Sequence, residues 1–201
     1  MTATIENAAI DQAAIDRLFL DARSQNGWTD APVTEAEIRA LYDLVKSGPT
    51  SANTQPARFV FLTTPEAKER LRPGLSPGNL KALAAPVIVL IGYALDFHDK
   101  IPQVFPHNPG FRDMFVNNPA AIEPHAFRNS SLQGAYLILA ARALGLDVGP
   151  MSGFDAAKVD GEFFPGGTVK TNFIAAIGHG DPEKVMPRLP RLAFEEAAQI
   201  L

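Results

Sequence analysis

Three hydrogen-bonding side chains occupy alternate positions in the stretch GPTSANTQP, residues 48–56. Ser51, Asn53 and Gln55 stand two residues apart, between two prolines. In an extended segment, side chains at positions i, i+2 and i+4 point to the same side. Because an Asn or Gln amide both donates and accepts, this side would suit the edge of a ring that alternates carbonyls and N–H groups. An Asx-type turn between two elements is the alternative interpretation of the same residues.

Arginines mark two further stretches, one near each end of the chain. Arg23 and Ser24 begin the stretch RSQNGW, in which Asn26 adds another hydrogen-bonding side chain. Arg188 and Arg191 stand three residues apart in RLPR, and a polyproline II path with three residues per turn would put both on one side. Guanidinium groups are suited to phosphate. The alternatives are an arginine favoured by the dipole of a preceding helix, and a solvated basic pair.

Other kinds of catalytic site find less support in the sequence. The chain has no cysteine, which excludes disulfides, thiolate nucleophiles and thiolate-bound metals. Its four histidines lack the spacing of a zinc helix, so we expect no metal. Tyr42 and Lys46 have the Tyr-x-x-x-Lys spacing of short-chain dehydrogenases, but no Gly-x-Gly-x-x-Gly precedes them. The remaining candidate residues are polar side chains for the edge of a ring and arginines for a phosphate. Together they suit a mononucleotide such as flavin mononucleotide (FMN).

Composition predicts one ordinary domain that spans residues 1–201, with residues 1–10 as a loose leader. The net charge of −4 and the sequence pI of about 5.5 give no basic footprint for nucleic acid. The longest apolar run, residues 82–94, is interrupted by Pro86 and Gly92 and is too short to cross a bilayer. The N-terminus lacks the basic start of a signal peptide. We therefore expect a cytoplasmic protein without a membrane or nucleic-acid partner.

Helices and strands alternate along the chain, which favours an α+β or α/β class. Apolar periodicity and capping signals predict helices over residues 11–22, 34–47, 65–71, 127–144 and 155–163, and a short one in the tail. Continuous apolar or β-rich runs predict strands over residues 58–63, 86–93 and 172–178. Residues 149–153 are expected to form a turn. Residues 96–119, rich in proline and phenylalanine, are expected to form a long loop or lid rather than core.

Four stretches occur in the order found in the nitroreductase family of flavin enzymes, which the chain resembles over about residues 12–197. They are ARSQNGW, PTSANTQP, GAYLILAARALGLDVGPMSGF and GHGDPEKVMPRLPRL. The RSxNGW and PRLPRL forms are most similar to the malonic semialdehyde reductase branch, which is linked to pyrimidine breakdown. The resemblance implies an α+β fold with a central mixed sheet flanked by helices, in an intertwined homodimer with FMN at the subunit interface.

The resemblance also implies which residues contact FMN, and these fall into three groups. The first group would bind phosphate or ribityl oxygens and contains Arg23 and Ser24. Arg188 and Arg191 would complete the phosphate clamp. The second, approaching the flavin from the other subunit, is Ser51, Asn53 and Gln55. The third is the turn of Pro150, Met151, Ser152 and Gly153, which would offer backbone N–H groups near the reactive ring nitrogen from the residues that follow the proline.

The chain departs from the family at one position of the first group. Many members carry a second arginine two residues after the serine, where this chain has Asn26. One phosphate cation is therefore missing there. Either the tail arginines compensate or flavin binding is weaker, and Asn26 would instead contact the ring or the ribityl chain.

The activity implied by the resemblance is ping-pong hydride transfer, in which NADH or NADPH reduces FMN and an acceptor then takes the hydride. The expected acceptor is malonic semialdehyde, reduced to 3-hydroxypropionate in pyrimidine catabolism. Its carboxylate requires a cation, for which Arg112 and Arg128 are the candidates. A broad nitroreductase or quinone reductase is the first alternative, and a flavin-binding protein without turnover is the second.

Overall fold

Four antiparallel strands in the order β1-β2-β4-β3 form the central sheet of the computed structural model, which describes residues 9–201. The α+β class is confirmed. The expected mixed sheet is wrong, because each of the four strands runs antiparallel to its neighbours. One isolated parallel bridge, from Ser24 to Val148, lies at its edge. Eight of the ten leader residues lie outside the described part of the chain. The strands are β1 (Ala57–Leu62), β2 (Val87–Ala94), β3 (Asp147–Met151) and β4 (Val169–Gly178).

Helices cover both faces of the sheet, and most of them lie where the sequence predicts them. The second helix begins at a capping box in which Thr34 and Glu37 bond each other's backbone N–H groups. The helices are α1 (Gln12–Ile15, continued by a π-helical turn Asp16–Leu20), α2 (Glu35–Val45), α3 (Pro65–Leu71), α4 (Ile101–Val104), α5 (Asp113–Val116), α6 (Ile122–Ala143), α7 (Ala156–Phe163) and α8 (Phe194–Ala197).

Strand β2 runs through the middle of two apolar layers. All eight of its residues are buried, as its continuous apolar sequence predicts. Its alternate residues Val87, Val89 and Ile91 pack with α2 and α6 on one face of the sheet. Ile88 and Leu90 pack with α3 and α7 on the other face. Two cores therefore hold the sheet rigid between helical layers.

Helix α6 is longer than the apolar pattern predicts. It begins at Ile122, five residues before the expected start at Phe127, and ends before Gly145, whose φ of +83° closes the helix. The additional N-terminal turn contains Pro124, which a first helical turn tolerates because its N–H would be unpaired there. No helix within residues 9–201 is long and apolar enough to cross a membrane.

The segment 96–119 is not an irregular loop. It forms α4, α5 and short 3₁₀ turns, and it carries an apolar cluster of its own. Phe97 and Phe115 are completely buried, with their ring centroids 4.8 Å apart. Short helical turns satisfy backbone groups locally, so a segment with many prolines can still bury aromatic side chains.

Candidate functional site

The RSQNGW segment (residues 23–28) lies beside β3, the edge strand that the sequence analysis treated as a turn. The backbone N–H of Gln25 donates to the carbonyl of Val148 at 3.0 Å. A Cβ on Gly149 would lie only 2.4 Å from the Gln25 carbonyl oxygen, so the approach requires glycine. Pro150 belongs to the strand rather than a turn, which is compatible with an edge position because proline cannot donate to a ladder.

A groove forms where this segment meets the end of β3 and the 3₁₀ helix Pro77–Ala84. The Nζ of Lys81 donates to Oδ1 of Asn26 at 2.5 Å, and Nδ2 of Asn79 donates to the Gly153 carbonyl at 2.9 Å. We call it the Lys81 groove. It is lined by Ser24, Gln25, Asn26, Trp28, Asn79, Lys81, Ala82, Gly149, Pro150, Met151 and Ala176.

Asn79 and Lys81 were missed by the sequence analysis. They stand in the stretch SPGNLK, whose Pro-Gly pair followed by polar residues is typical of an ordinary surface turn. Nothing in the spacing connects them with residues 24–26 or 149–153. Only the fold brings these three separate segments to one groove.

Two of the predicted phosphate ligands meet at the C-terminal end of the first helix. Arg23 Nη1 donates to the carbonyls of Asp21 and Ala22, both at 3.1 Å. Arg188 Nη2 donates to the same Ala22 carbonyl at 3.1 Å. Arg191 does not join them, because its Nη1 bonds the carbonyls of Leu189 and Pro190 in its own segment. Of these predicted phosphate ligands, Arg23 and Arg188 therefore lie together, and Arg191 lies apart from them.

Two more arginines hold this helix end in place. Arg142 Nη1 donates to the Leu18 carbonyl at 2.8 Å, and Arg17 Nη2 donates to the Leu146 carbonyl at 3.1 Å. Burial, with Arg17 and Arg188 nearby, lowers the pKa of Arg142. Asp147 lies 3.5 Å from Arg17 and balances part of this positive charge.

The PTSANTQP segment (residues 49–56) is not extended, so the expected single polar face is wrong. Ser51–Asn53 is a 3₁₀ turn, and Ala52, Asn53 and Gln55 have left-handed φ values of 48°, 51° and 42°. The Asn53 side chain is already occupied: its Nδ2 donates to the Val104 carbonyl at 2.7 Å, and its Oδ1 accepts from Gln55 Nε2 at 2.8 Å. Ser51 and Gln55 keep polar atoms available.

This segment and the Lys81 groove lie at opposite edges of the sheet. PTSANTQP leads into the outer strand β1, whereas the groove adjoins the other outer strand, β3. Three strand spacings separate the two edges, a distance of about 14 Å. One copy of the chain therefore does not bring Ser51, Asn53 and Gln55 to the residues of the groove.

Comparison with known proteins connects these features. The model of a family described as "Nitroreductase family" matches residues 21–166. The chain belongs to the nitroreductase family. A Caulobacter protein is 59% identical over 196 residues (96% of this chain, all of that protein), and a Burkholderia lata protein is 57% identical over 192 residues (95% of this chain, 98% of that protein). Both are named "Putative NADH dehydrogenase/NAD(P)H nitroreductase".

A solved structure has the same fold. It is described as a nitroreductase from Exiguobacterium sibiricum in complex with FMN. Its TM-score to this chain is 0.83 at 19% sequence identity, and the match covers 98% of this chain and all of the Exiguobacterium chain. The names of the relatives agree with the nitroreductase alternative better than with the semialdehyde reductase branch.

The two arginines expected to bind a substrate carboxylate differ in whether a carboxylate of the protein already lies beside them. Arg112 Nη2 forms an ion pair with Asp99 at 2.8 Å, so its charge is already neutralised. Arg128 is exposed on α6 and has no carboxylate oxygen within 4.0 Å among residues 9–201. Arg128 is therefore the better placed of the two to bind an anion.

The C-terminal tail of this nitroreductase-family chain exposes an unusual number of apolar side chains. Its only regular element is α8, and every one of residues 186–201 is exposed. Six large apolar residues are each more than half exposed: Met186, Leu189, Leu192, Phe194, Ile200 and Leu201. Exposed apolar side chains in this number suggest a segment that packs against another surface.

Proposed function

We propose that this protein is an FMN-dependent NAD(P)H oxidoreductase whose acceptor is a nitroaromatic compound or a quinone. The observation that carries the proposal is the meeting of Ser24, Asn26, Pro150 and Met151 with Lys81 in one groove, next to a pair of arginines. Relatives at 57–59% identity bear NAD(P)H nitroreductase names, and the similar Exiguobacterium structure holds FMN.

The chemistry of the groove fits FMN. Arg23, Arg188 and Lys81 have no carboxylate oxygen within 4.0 Å among the described residues, so each retains its charge for a bound anion. Arg23 and Arg188 share the Ala22 carbonyl and are close enough to clamp one phosphate. Lys81 and Asn79 would offer N–H donors to FMN from the wall of the groove.

Each of these residues has a distinct role. FMN, when bound, supplies hydride transfer between the nicotinamide and the acceptor. Lys81 places a positive charge at the groove and so favours the form of the ring that carries negative charge. Arg23 and Arg188 would hold the phosphate and so anchor FMN beside the groove.

We propose that the complete site needs a second copy of the chain. The Lys81 groove encloses only about 80 Å³, well below the roughly 300–1,000 Å³ of ligand pockets. A second wall is therefore required. Ser51 and Gln55, which lie at the far edge of their own sheet, would supply that wall from the partner. The exposed apolar tail, residues 186–201, would cover the partner's surface and hold the homodimer together.

A second acceptor, malonic semialdehyde, is favoured by one observation. Arg128 is an exposed arginine without an acidic partner in the described chain, and it stands three residues after His125, which contacts the PTSANTQP segment. If that segment faces the flavin of the partner, Arg128 would bind the carboxylate of a short oxo acid beside it. This candidate agrees with the RSxNGW and PRLPRL forms of the sequence.

An absorption spectrum of the purified protein, followed by release and identification of the chromophore, tests the cofactor. We expect FMN, bleached under anaerobic conditions by NADH or NADPH. A flavin that neither nicotinamide bleaches would indicate binding without turnover, and a protein that takes up no added FMN would refute the proposal. Steady-state rates with a nitroaromatic, a quinone and malonic semialdehyde then decide the acceptor. Arg128→Ala should raise the KM for the semialdehyde and leave the KM for the quinone unchanged.

A further inference from the structure

The PTSANTQP segment adopts a conformation that its own sequence does not favour. Three residues in this short stretch, Ala52, Asn53 and Gln55, have positive φ without being glycine. Side chains with a Cβ rarely adopt this conformation, because Cβ approaches the following carbonyl oxygen. Strained backbone of this kind persists only where surrounding contacts hold it, and it concentrates at functional sites. The contacts that hold it are therefore informative.

Four side chains on one face of α6 supply those contacts. The Tyr136 hydroxyl donates to the Pro49 carbonyl at 2.8 Å, and Asn129 Oδ1 accepts from the Ser51 N–H at 2.8 Å. His125 Nε2 lies 2.9 Å from Thr54 Oγ1, and Gln133 Oε1 accepts from the Ala57 N–H at 2.9 Å. We call these four residues, His125, Asn129, Gln133 and Tyr136, the α6 polar stripe.

The spacing of the stripe is that of one helix face. Positions 125, 129, 133 and 136 follow one another at intervals of four, four and three residues, which lie above one another on a helix. Asn129 and Gln133 are 1% and 4% exposed, so they occupy core positions where apolar side chains are the rule. Each has its partner in or directly beside the PTSANTQP segment, from Pro49 to Ala57.

Thr54 connects the stripe with the strained residues. It is 1% exposed, and its hydroxyl donates to the Ser51 carbonyl at 3.0 Å. Its Oγ1 also lies 2.9 Å from His125 Nε2, and the tautomer of the imidazole decides which of the two groups donates. The hydroxyl thus closes the turn that contains Ala52 and Asn53 and ties it to α6.

We propose that the α6 polar stripe positions the PTSANTQP segment so that Ser51 and Gln55 face the flavin bound by a partner subunit. His125, Asn129, Gln133 and Tyr136 are then positioning residues: they contact the segment and act on the flavin through it. This inference rests on the proposed function. It adds to that function a set of residues, 71 to 87 positions from their partners in the sequence, on which flavin affinity depends.

Two substitutions of Thr54 separate positioning from packing. Thr54→Val keeps the shape of the side chain and removes the hydroxyl, whereas Thr54→Ser keeps the hydroxyl. Thr171→Val is a matched control, because Thr171 is also buried and its hydroxyl bonds Asp160 at 2.5 Å on the other side of the sheet. Tyr136→Phe removes the hydrogen bond at the other end of the stripe and retains the ring.

Hydrogen–deuterium exchange of the full chain, with and without FMN, is the first measurement. Thr54→Val should accelerate exchange of the amides of residues 51–57 about tenfold, since buried partners lose their bonds. FMN titration is the second, and the dissociation constant should rise about tenfold with a shifted flavin absorption maximum. Thr54→Ser should restore both values, Tyr136→Phe should change both in the same direction, and Thr171→Val should change neither.

Two results would overturn the inference. Exchange that stays slow in Thr54→Val would show that the stripe does not hold the segment. Faster exchange with unchanged flavin affinity and spectrum would show that the stripe only stabilises the fold. A wild-type protein that takes up no FMN would refute the proposed function instead, so the two failures are distinguishable.

Discussion

Replacing Gly149 with alanine should separate the RSQNGW segment from β3 and so disrupt the candidate flavin site. The added Cβ would lie 2.4 Å from the Gln25 carbonyl oxygen, and real Cβ atoms essentially never approach a neighbour closer than 3.0 Å. The neighbour is backbone and not the end of a flexible side chain. The two chain segments must therefore move apart by at least about 0.6 Å, a displacement set by the steric limit of packed interiors.

The energetic cost follows from that displacement. The hydrogen bond from Gln25 N–H to the Val148 carbonyl is 3.0 Å long, and such a displacement takes it beyond hydrogen-bonding distance. Its loss contributes about 1 kcal/mol, and overpacking adds roughly 1–3 kcal/mol. We expect the free energy of unfolding to fall by about 2–4 kcal/mol and Tm by roughly 5–15 °C. Because the shift moves Ser24 and Asn26 away from Pro150, the dissociation constant for FMN should rise about tenfold or more.

Urea unfolding and FMN titration of Gly149→Ala measure both effects. Gly161→Ala is the matched control, because Gly161 lies in α7 and a Cβ added there would meet nothing within 4 Å. That substitution should stabilise the protein by about 0.5–1 kcal/mol through helix propensity and leave FMN affinity unchanged. A Gly149→Ala protein with wild-type stability and wild-type flavin affinity would refute the reasoning.

Three further predictions concern charged and titratable groups. Arg188→Ala should raise the dissociation constant for FMN by roughly tenfold to a hundredfold, since one charge-assisted phosphate contact is lost, and Arg191→Ala should have a smaller effect in the same titration. Lys81→Met should lower the reduction potential of bound FMN, measured by anaerobic dye equilibration, because a cation that favours the negatively charged form is removed; an unchanged potential would contradict its role. Burial, and then Arg128, lower the pKa of His125 in the folded protein. The stability that the neutral ring contributes is therefore complete above the unfolded pKa of about 6.5, and it is lost as the pH falls towards the folded pKa. Urea unfolding at pH 7.5 and 5.5 should therefore show a smaller acid destabilisation in His125→Gln, and an equal one would contradict the burial argument.

The regular elements could be predicted because their signals are local. The capping box at Thr34 and Glu37, and the continuous apolar run of β2, each specify an element from a few neighbouring residues. The strand β3 was missed because Gly149 and Pro150 are turn-forming residues. A proline is nevertheless compatible with an edge strand, and only pairing with the distant β4 shows that the segment is one.

The PTSANTQP segment could not be predicted because its conformation is decided elsewhere. Alternating polar residues agree equally well with an extended strand and with a turn. The segment that contains the left-handed Ala52 and Gln55 forms hydrogen bonds with His125 and Asn129, which lie more than seventy residues away from Thr54 and Ser51. A polar stripe at helical spacing in α6 was the available signal, and the strength of the apolar pattern in the same helix obscured it.

The contact between Asn26 and Lys81 bears on the position where the family resemblance led us to expect a second arginine. Asn26 accepts a hydrogen bond there from the Nζ of Lys81 at 2.5 Å. An arginine at position 26 would place two cations at that distance, each of which disfavours the charge of the other. A neutral amide at position 26 avoids that repulsion beside Lys81. In the proposed site, Lys81 would therefore supply from another segment the cation that the RSQNGW segment lacks, and the tail arginines would not have to compensate for it.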